Sequence, residues 1–168
     1  LHWPGEHPIE ETVEAFETLK SQGKIRAWGV SNFDVDAMQE LVSVTNGKNV
    51  ATNQVLYNLS RRGVEFDLLP WQREHGVTTM AYSPINQAQL VASNKLTAIA
   101  RNVGATPAQL ALAWLLMRPD VIVIPKTSHV ERLEENLGAL ALKLEASTLE
   151  ALDAAFPPPR QRSPLAML

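Results

Sequence analysis

At 168 residues the chain is long enough for one domain with a substantial core, and 45% hydrophobic with 20% charged residues is ordinary for a globular protein. A formal charge of −3, with no run of like charge, argues against nucleic acid or an anionic membrane as the main partner. The absence of cysteine excludes disulfides and thiol chemistry, and the reducing cytosol is the default compartment.

The chain opens on LHWPG. Leu1 reads as the end of an apolar strand, and Pro4-Gly5 as a turn. A helix is expected from about Pro8 to Gln22, because Val13, Phe16 and Leu19 recur every three residues and Gly23 stops it. IRAWGV reads as a buried strand. SNF follows it, and Asp34 can cap a helix whose apolar side holds Met38, Leu41 and Val42. VATNQV is a second strand, followed by a helix near Asp67 to His75 that Gly76 closes. VTTMAY is a third. Helices are then expected at about Lys95 to Val103 and Pro107 to Met117. Thr106, Pro107 and Gln109 give the second of these a capping box, and it is apolar almost all round. The longest apolar run, LALAWLLM, is far too short to cross a bilayer. VIVIP is the fourth strand. Ser128 with Glu131 reads as a capping box for a helix from about His129 to Leu140, and Ser147 with Glu150 as another, ended by Pro157 to Pro159.

Strands that are continuous apolar runs, alternating with helices, predict a parallel sheet covered by helices. In such folds the residues after each strand gather at one end of the sheet. Here those residues are Ser31-Asn32, Asn53-Gln54, Tyr82-Ser83-Pro84 and Lys126-Thr127-Ser128, which suggests a polar ligand spread along that rim. The plainer reading is that these side chains cap the following helices. Lys126 precedes a helix start, where free N–H groups and the helix dipole attract anions. Arg132, Glu135 and Asn136 share one face of that helix, and Val130, Leu133 and Leu137 share another that should pack inward. A lysine, hydroxyls and an arginine there suit a phosphate, and the carboxylate and amide suit an adenine amino group. The alternative is a solvated face with an Arg132–Glu135 ion pair.

The motifs HWP, GVSNF, NQVLYN, AYSP and IPKTSHVERLEEN stand in the order seen in aldo-keto reductases, and the tail LDAAFPPP looks like that family's end. The chain is most similar to the bacterial branch that reduces methylglyoxal and related small carbonyls. The resemblance implies an α/β fold, a (β/α)₈ TIM barrel of aldo-keto reductase type, with NADPH extended along the C-terminal rim. It implies that Ser31, Asn32 and Gln54 hydrogen-bond the nicotinamide carboxamide, that Tyr82 stacks on the ring, and that Ser83, Pro84 and Ile85 pass the pyrophosphate. Lys126, Thr127, Ser128 and Arg132 would hold the 2′-phosphate, and Glu135 and Asn136 the adenine; Lys126 with Arg132 favours NADP over NAD. His2 matches the histidine that polarises the substrate carbonyl, and Trp3 an aromatic pocket wall. No metal is called for.

In the family the HWP strand is the fourth of eight, and the proton-donating Tyr with its Lys and Asp comes earlier. A barrel of this kind takes about 250 residues. The expectation is therefore a single partial domain, 1–168, comprising the C-terminal part of a barrel (about strands four to eight) and inactive alone for want of the acid. The intact protein would be a cytoplasmic, monomeric reductase of small carbonyls. The loop after Pro84 is short and poor in phosphate ligands, and Trp28 would lie at an open sheet edge. Two other readings are an NADPH-binding module without turnover and a barrel enzyme using Lys126 as a Schiff base.

Overall fold

The structure, a computed structural model, describes residues 1–168. Four strands, β1 (Gly29–Ser31), β2 (Thr52–Leu56), β3 (Thr78–Tyr82) and β4 (Val121–Val123), form one sheet in the order β1-β2-β3-β4. Every neighbouring pair is parallel, as the apolar runs predict. The first strand is shorter than IRAWGV. Its Gly29 pairs with Thr52, the first residue of β2, so Ile25 to Trp28 run past the start of their neighbour. Gly29 is also the residue that lets the two strands approach: a Cβ there would lie 2.5 Å from the Thr52 side chain. On the outer edge of β1 the Leu1 amino nitrogen donates to the Gly29 carbonyl at 2.8 Å. That single bond stands where a further strand would pair, and Leu1 itself forms no strand.

Seven helices connect and cover the sheet: α1 (Ile9–Ser21), α2 (Val35–Ser43), α3 (Leu68–Glu74), α4 (Asn94–Asn102), α5 (Pro107–Leu116), α6 (Val130–Leu137) and α7 (Ala146–Ala155). Local chemistry sets several boundaries. Gly23 and Gly76 take left-handed φ of 69° and 68° and stop α1 and α3. Asp34 accepts the Ala37 N–H at 2.9 Å and caps α2. Thr106 and Gln109 exchange both bonds of the capping box that opens α5, at 3.2 and 3.1 Å. α5 is the fully apolar helix and is buried on nearly every side. One hydrophobic core joins it to α2, α3, α4, α7 and the sheet through Met38, Leu41, Val55, Leu68, Leu96 and Leu152.

Four expectations need correction. Ser128 does not cap α6; that helix begins at Val130 with His129 as an uncapped N-cap, and the Thr127 hydroxyl instead accepts the His129 N–H at 3.1 Å in a local turn. Ser147 does not cap α7, which starts at Ala146 behind Glu145, two residues earlier than that cap implies. Val130, Leu133 and Leu137 do not pack inward; Val130 is 66% and Leu137 57% exposed. β4 is an edge strand, so nothing lies beyond it for that face of α6 to cover. α6 is held instead by Gln109, whose Nε2 donates to the Glu135 carbonyl at 3.0 Å and fills the space a Cβ on Gly138 would need. Finally, Trp28 lies beside an edge strand but is buried: its ring stacks on Phe16 of α1 at 5.3 Å, and its indole N–H donates to Glu17 at 2.6 Å.

Candidate functional site

Parallel register brings the strand ends together at one rim. Ser31, closing β1, sits opposite Gln54 of β2, and its hydroxyl donates to the Gln54 carbonyl at 2.8 Å. The Asn32 N–H reaches the same carbonyl at 2.9 Å. Asn32 holds a left-handed φ of 61°, tolerated best by Asn among side chains that carry a Cβ. Its amide nitrogen donates to the Ser31 hydroxyl at 3.2 Å and to the His2 carbonyl at 3.4 Å. Its amide oxygen accepts the Tyr82 hydroxyl at 3.2 Å. One side chain therefore links the opening residues, the end of β1 and the end of β3. Burial pushes the Tyr82 phenol up, opposed in part by the backbone N–H of Leu168, which brings the chain's last residue to this rim.

The loop after β3 folds back in an unusual backbone. Ser83, Asn86, Gln87 and Ala88 all have positive φ, between 49° and 70°, and none is glycine. Asn58 secures its start by donating to the Ser83 carbonyl at 2.9 Å. Between this loop and the end of β4 lies a cleft of about 360 Å³, whose wall includes Tyr82, Ser83, Pro84, Ile85, Lys126 and Arg132. Six of the expected cofactor residues thus meet in one space. Lys126 and Arg132 take part in none of the chain's seven ion pairs, and the Arg132–Glu135 pair does not form. Two unpaired cations beside a helix start have the charge and position that suit an anion. Thr127, Ser128, Glu135 and Asn136 lie outside the walls of this cleft.

His2 and Trp3 are exposed, with rings 5.1 Å apart and tilted by 36°. His2 is tied to the rim by its carbonyl. Tyr57, the only tyrosine besides Tyr82, is fully buried. Its hydroxyl donates to Glu65 at 2.8 Å, and burial pushes its phenol up. That proton belongs to a buried ionic cluster. Glu65 also pairs with Arg62 and Arg118, and Arg62 reaches Asp153 and the Phe156 carbonyl at the end of α7, both at 2.6 Å.

The model of the aldo/keto reductase family matches residues 1–156. The chain belongs to that family. It is 43% identical over 175 residues to methylglyoxal reductase YeaE of Escherichia coli K12, covering all of this chain and 61% of that protein. It is 32% identical over 157 residues to methylglyoxal reductase DkgB of Escherichia coli O157:H7, covering 92% of this chain and 58% of the relative. Among solved structures, an aldo/keto reductase of Klebsiella pneumoniae in complex with NADP and acetate superposes with a TM-score of 0.97 at 44% identity, over all of this chain and 61% of that one. The chain spans about three fifths of the length of these family members.

Two groups at the site escaped sequence reasoning. Asn53 stood out only as part of a polar strand end, and the left-handed loop carries no glycine to announce it. The signal for the first was a second side-chain amide beside Gln54 in β2, which a strand sends to the opposite face.

Proposed function

We propose that this chain forms the cofactor-binding side of an NADPH-dependent reductase of small aldehydes and ketones, methylglyoxal among them. It would do so as the C-terminal part of a (β/α)₈ barrel. The observation that carries this reading is the pair of unpaired cations, Lys126 and Arg132, in the cleft that Tyr82, Ser83, Pro84 and Ile85 also line. The donor set suits a dinucleotide with a third phosphate: a polar rim at one end and two free positive charges at the other. When bound, NADPH supplies the hydride that reduces the carbonyl carbon. Ser31, Asn32 and Gln54 orient the carboxamide, Tyr82 supports the nicotinamide face, and Lys126, Thr127, Ser128 and Arg132 hold the 2′-phosphate. Glu135 and Asn136 meet the adenine. His2 donates a hydrogen bond to the substrate carbonyl oxygen, and Trp3 walls the pocket. The reading takes the proton from a group outside these 168 residues, because Tyr57 is committed to Glu65.

Calorimetric titration tests the cofactor assignment. Lys126→Met with Arg132→Met should weaken NADPH far more than NADH, since each charge-assisted contact contributes roughly 1.5–3 kcal/mol. Equal weakening of the two nucleotides overturns it. The burial of Tyr57 also favours a second reading, in which the chain binds NADPH and turns nothing over.

A further inference from the structure

Asn53, the second residue of β2, has no exposed surface, yet its amide meets a loop rather than a strand. Its nitrogen donates to the Phe33 carbonyl at 2.8 Å and to the Gln72 side-chain oxygen at 3.2 Å. Its oxygen accepts the Phe33 N–H at 3.4 Å. Gln72, on α3 and equally buried, passes the chain on by donating to the Thr79 hydroxyl of β3 at 2.8 Å. No buried side-chain polar atom in this run is left without a partner. One side chain thus satisfies both backbone groups of Phe33, as a neighbouring strand would. The residue just before Phe33 is Asn32, whose own N–H is fixed by the Gln54 carbonyl and whose φ of 61° is left-handed. A strained residue persists when its surroundings over-determine it, and the bonds on both sides of Asn32 do so.

We propose that Asn53, anchored by Gln72 and Thr79 and acting through the backbone of Phe33, is the positioning residue that aims the Asn32 amide at the nicotinamide carboxamide. This rests on the cofactor reading above. Asn53 touches no ligand; it fixes the turn that does. Of the cleft walls only Tyr82 bonds to Asn32, and Lys126 and Arg132 do not, so loss of the Asn53 amide acts on the nicotinamide half of the dinucleotide.

The test compares NADP⁺ with 2′,5′-ADP, which carries the adenine and 2′-phosphate but no nicotinamide. In Asn53→Ser, NADP⁺ should bind about tenfold more weakly while 2′,5′-ADP stays within about twofold of the unmodified chain. Gln72→Met, which removes only the anchor, should give a smaller shift in the same direction. Exchange of the Phe33 amide should speed up by about tenfold or more in Asn53→Ser, with core amides of β3 unchanged. Equal weakening of both ligands means a merely structural role and overturns the proposal. So does unchanged Phe33 exchange, which needs no ligand at all. If the unmodified chain binds neither NADP⁺ nor 2′,5′-ADP, the cofactor reading itself falls, whatever the exchange data show.

Discussion

Glu65 receives three buried or half-buried donors: the Arg62 fork at 2.9 and 2.8 Å, Arg118 at 3.4 Å and the Tyr57 hydroxyl at 2.8 Å. The Trp114 ring lies 5.0 Å from the Arg62 guanidinium and 3.8 Å from that of Arg118, so the cations also share an aromatic neighbour. Removing the one carboxylate takes from Arg118 its only ion-pair partner and leaves Arg62 with Asp153 alone. Glu65→Leu should therefore lower stability by about 3–5 kcal/mol in urea unfolding, whereas Tyr57→Phe should lose only about 1 kcal/mol. Glu17 offers a pH handle. The Trp28 indole N–H holds its carboxyl below the ordinary value of 4.5, against a smaller opposing effect of burial and with help from Asn49 and Lys20. The stabilising contribution is complete at neutral pH and is lost as pH falls through that lowered value. An NMR titration should place the Glu17 midpoint below 4.5, and Trp28→Phe should move it upward.

Among the elements, the loop after β3 stores the most backbone strain. Three consecutive left-handed residues, Asn86, Gln87 and Ala88, each oppose a Cβ clash that glycine escapes. Ala88→Gly should therefore raise stability by up to about 1 kcal/mol in urea unfolding, although glycine weakens most helices and strands by a similar amount. The sequence could not announce this loop, because none of its left-handed residues is a glycine. α5 is the contrary case. Its Thr-Pro-Ala-Gln start is a complete local instruction, and the box forms as read. α6 shows where pattern stops: periodicity correctly groups Val130, Leu133 and Leu137 on one face but says nothing of what stands opposite. Asn53 and Gln54 show a finer limit. They are equally polar and adjacent, but a strand sends them to opposite faces, and only tertiary packing decides which one meets Phe33.

At the scale of the whole molecule, strand order and the common rim were legible because each βα unit is short and local. The four-stranded sheet keeps two edges, β1 and β4, and the chain covers 61% of its YeaE relative. A carbonyl reduction needs a positioned acid as well as a hydride. The 168-residue chain should bind NADPH yet consume none with methylglyoxal, as followed by nicotinamide absorbance. Steady turnover by a sample of verified 18.5 kDa mass would place an acid among these residues.

The buried guanidinium of Arg62 gives synthesis a direction. Two of its acceptors, Asp153 and the Phe156 carbonyl, lie 91 and 94 positions further along the chain. While a ribosome is still making the middle of the protein, Glu65 alone can answer that charge, and the site has reason to remain wet. Only when α7 leaves the exit tunnel can the cluster close and dry. The core beside Trp114 is therefore completed only by α7, and a chain cut before Asp153 would keep its hydrophobic centre ajar, an open invitation to chaperones and proteases.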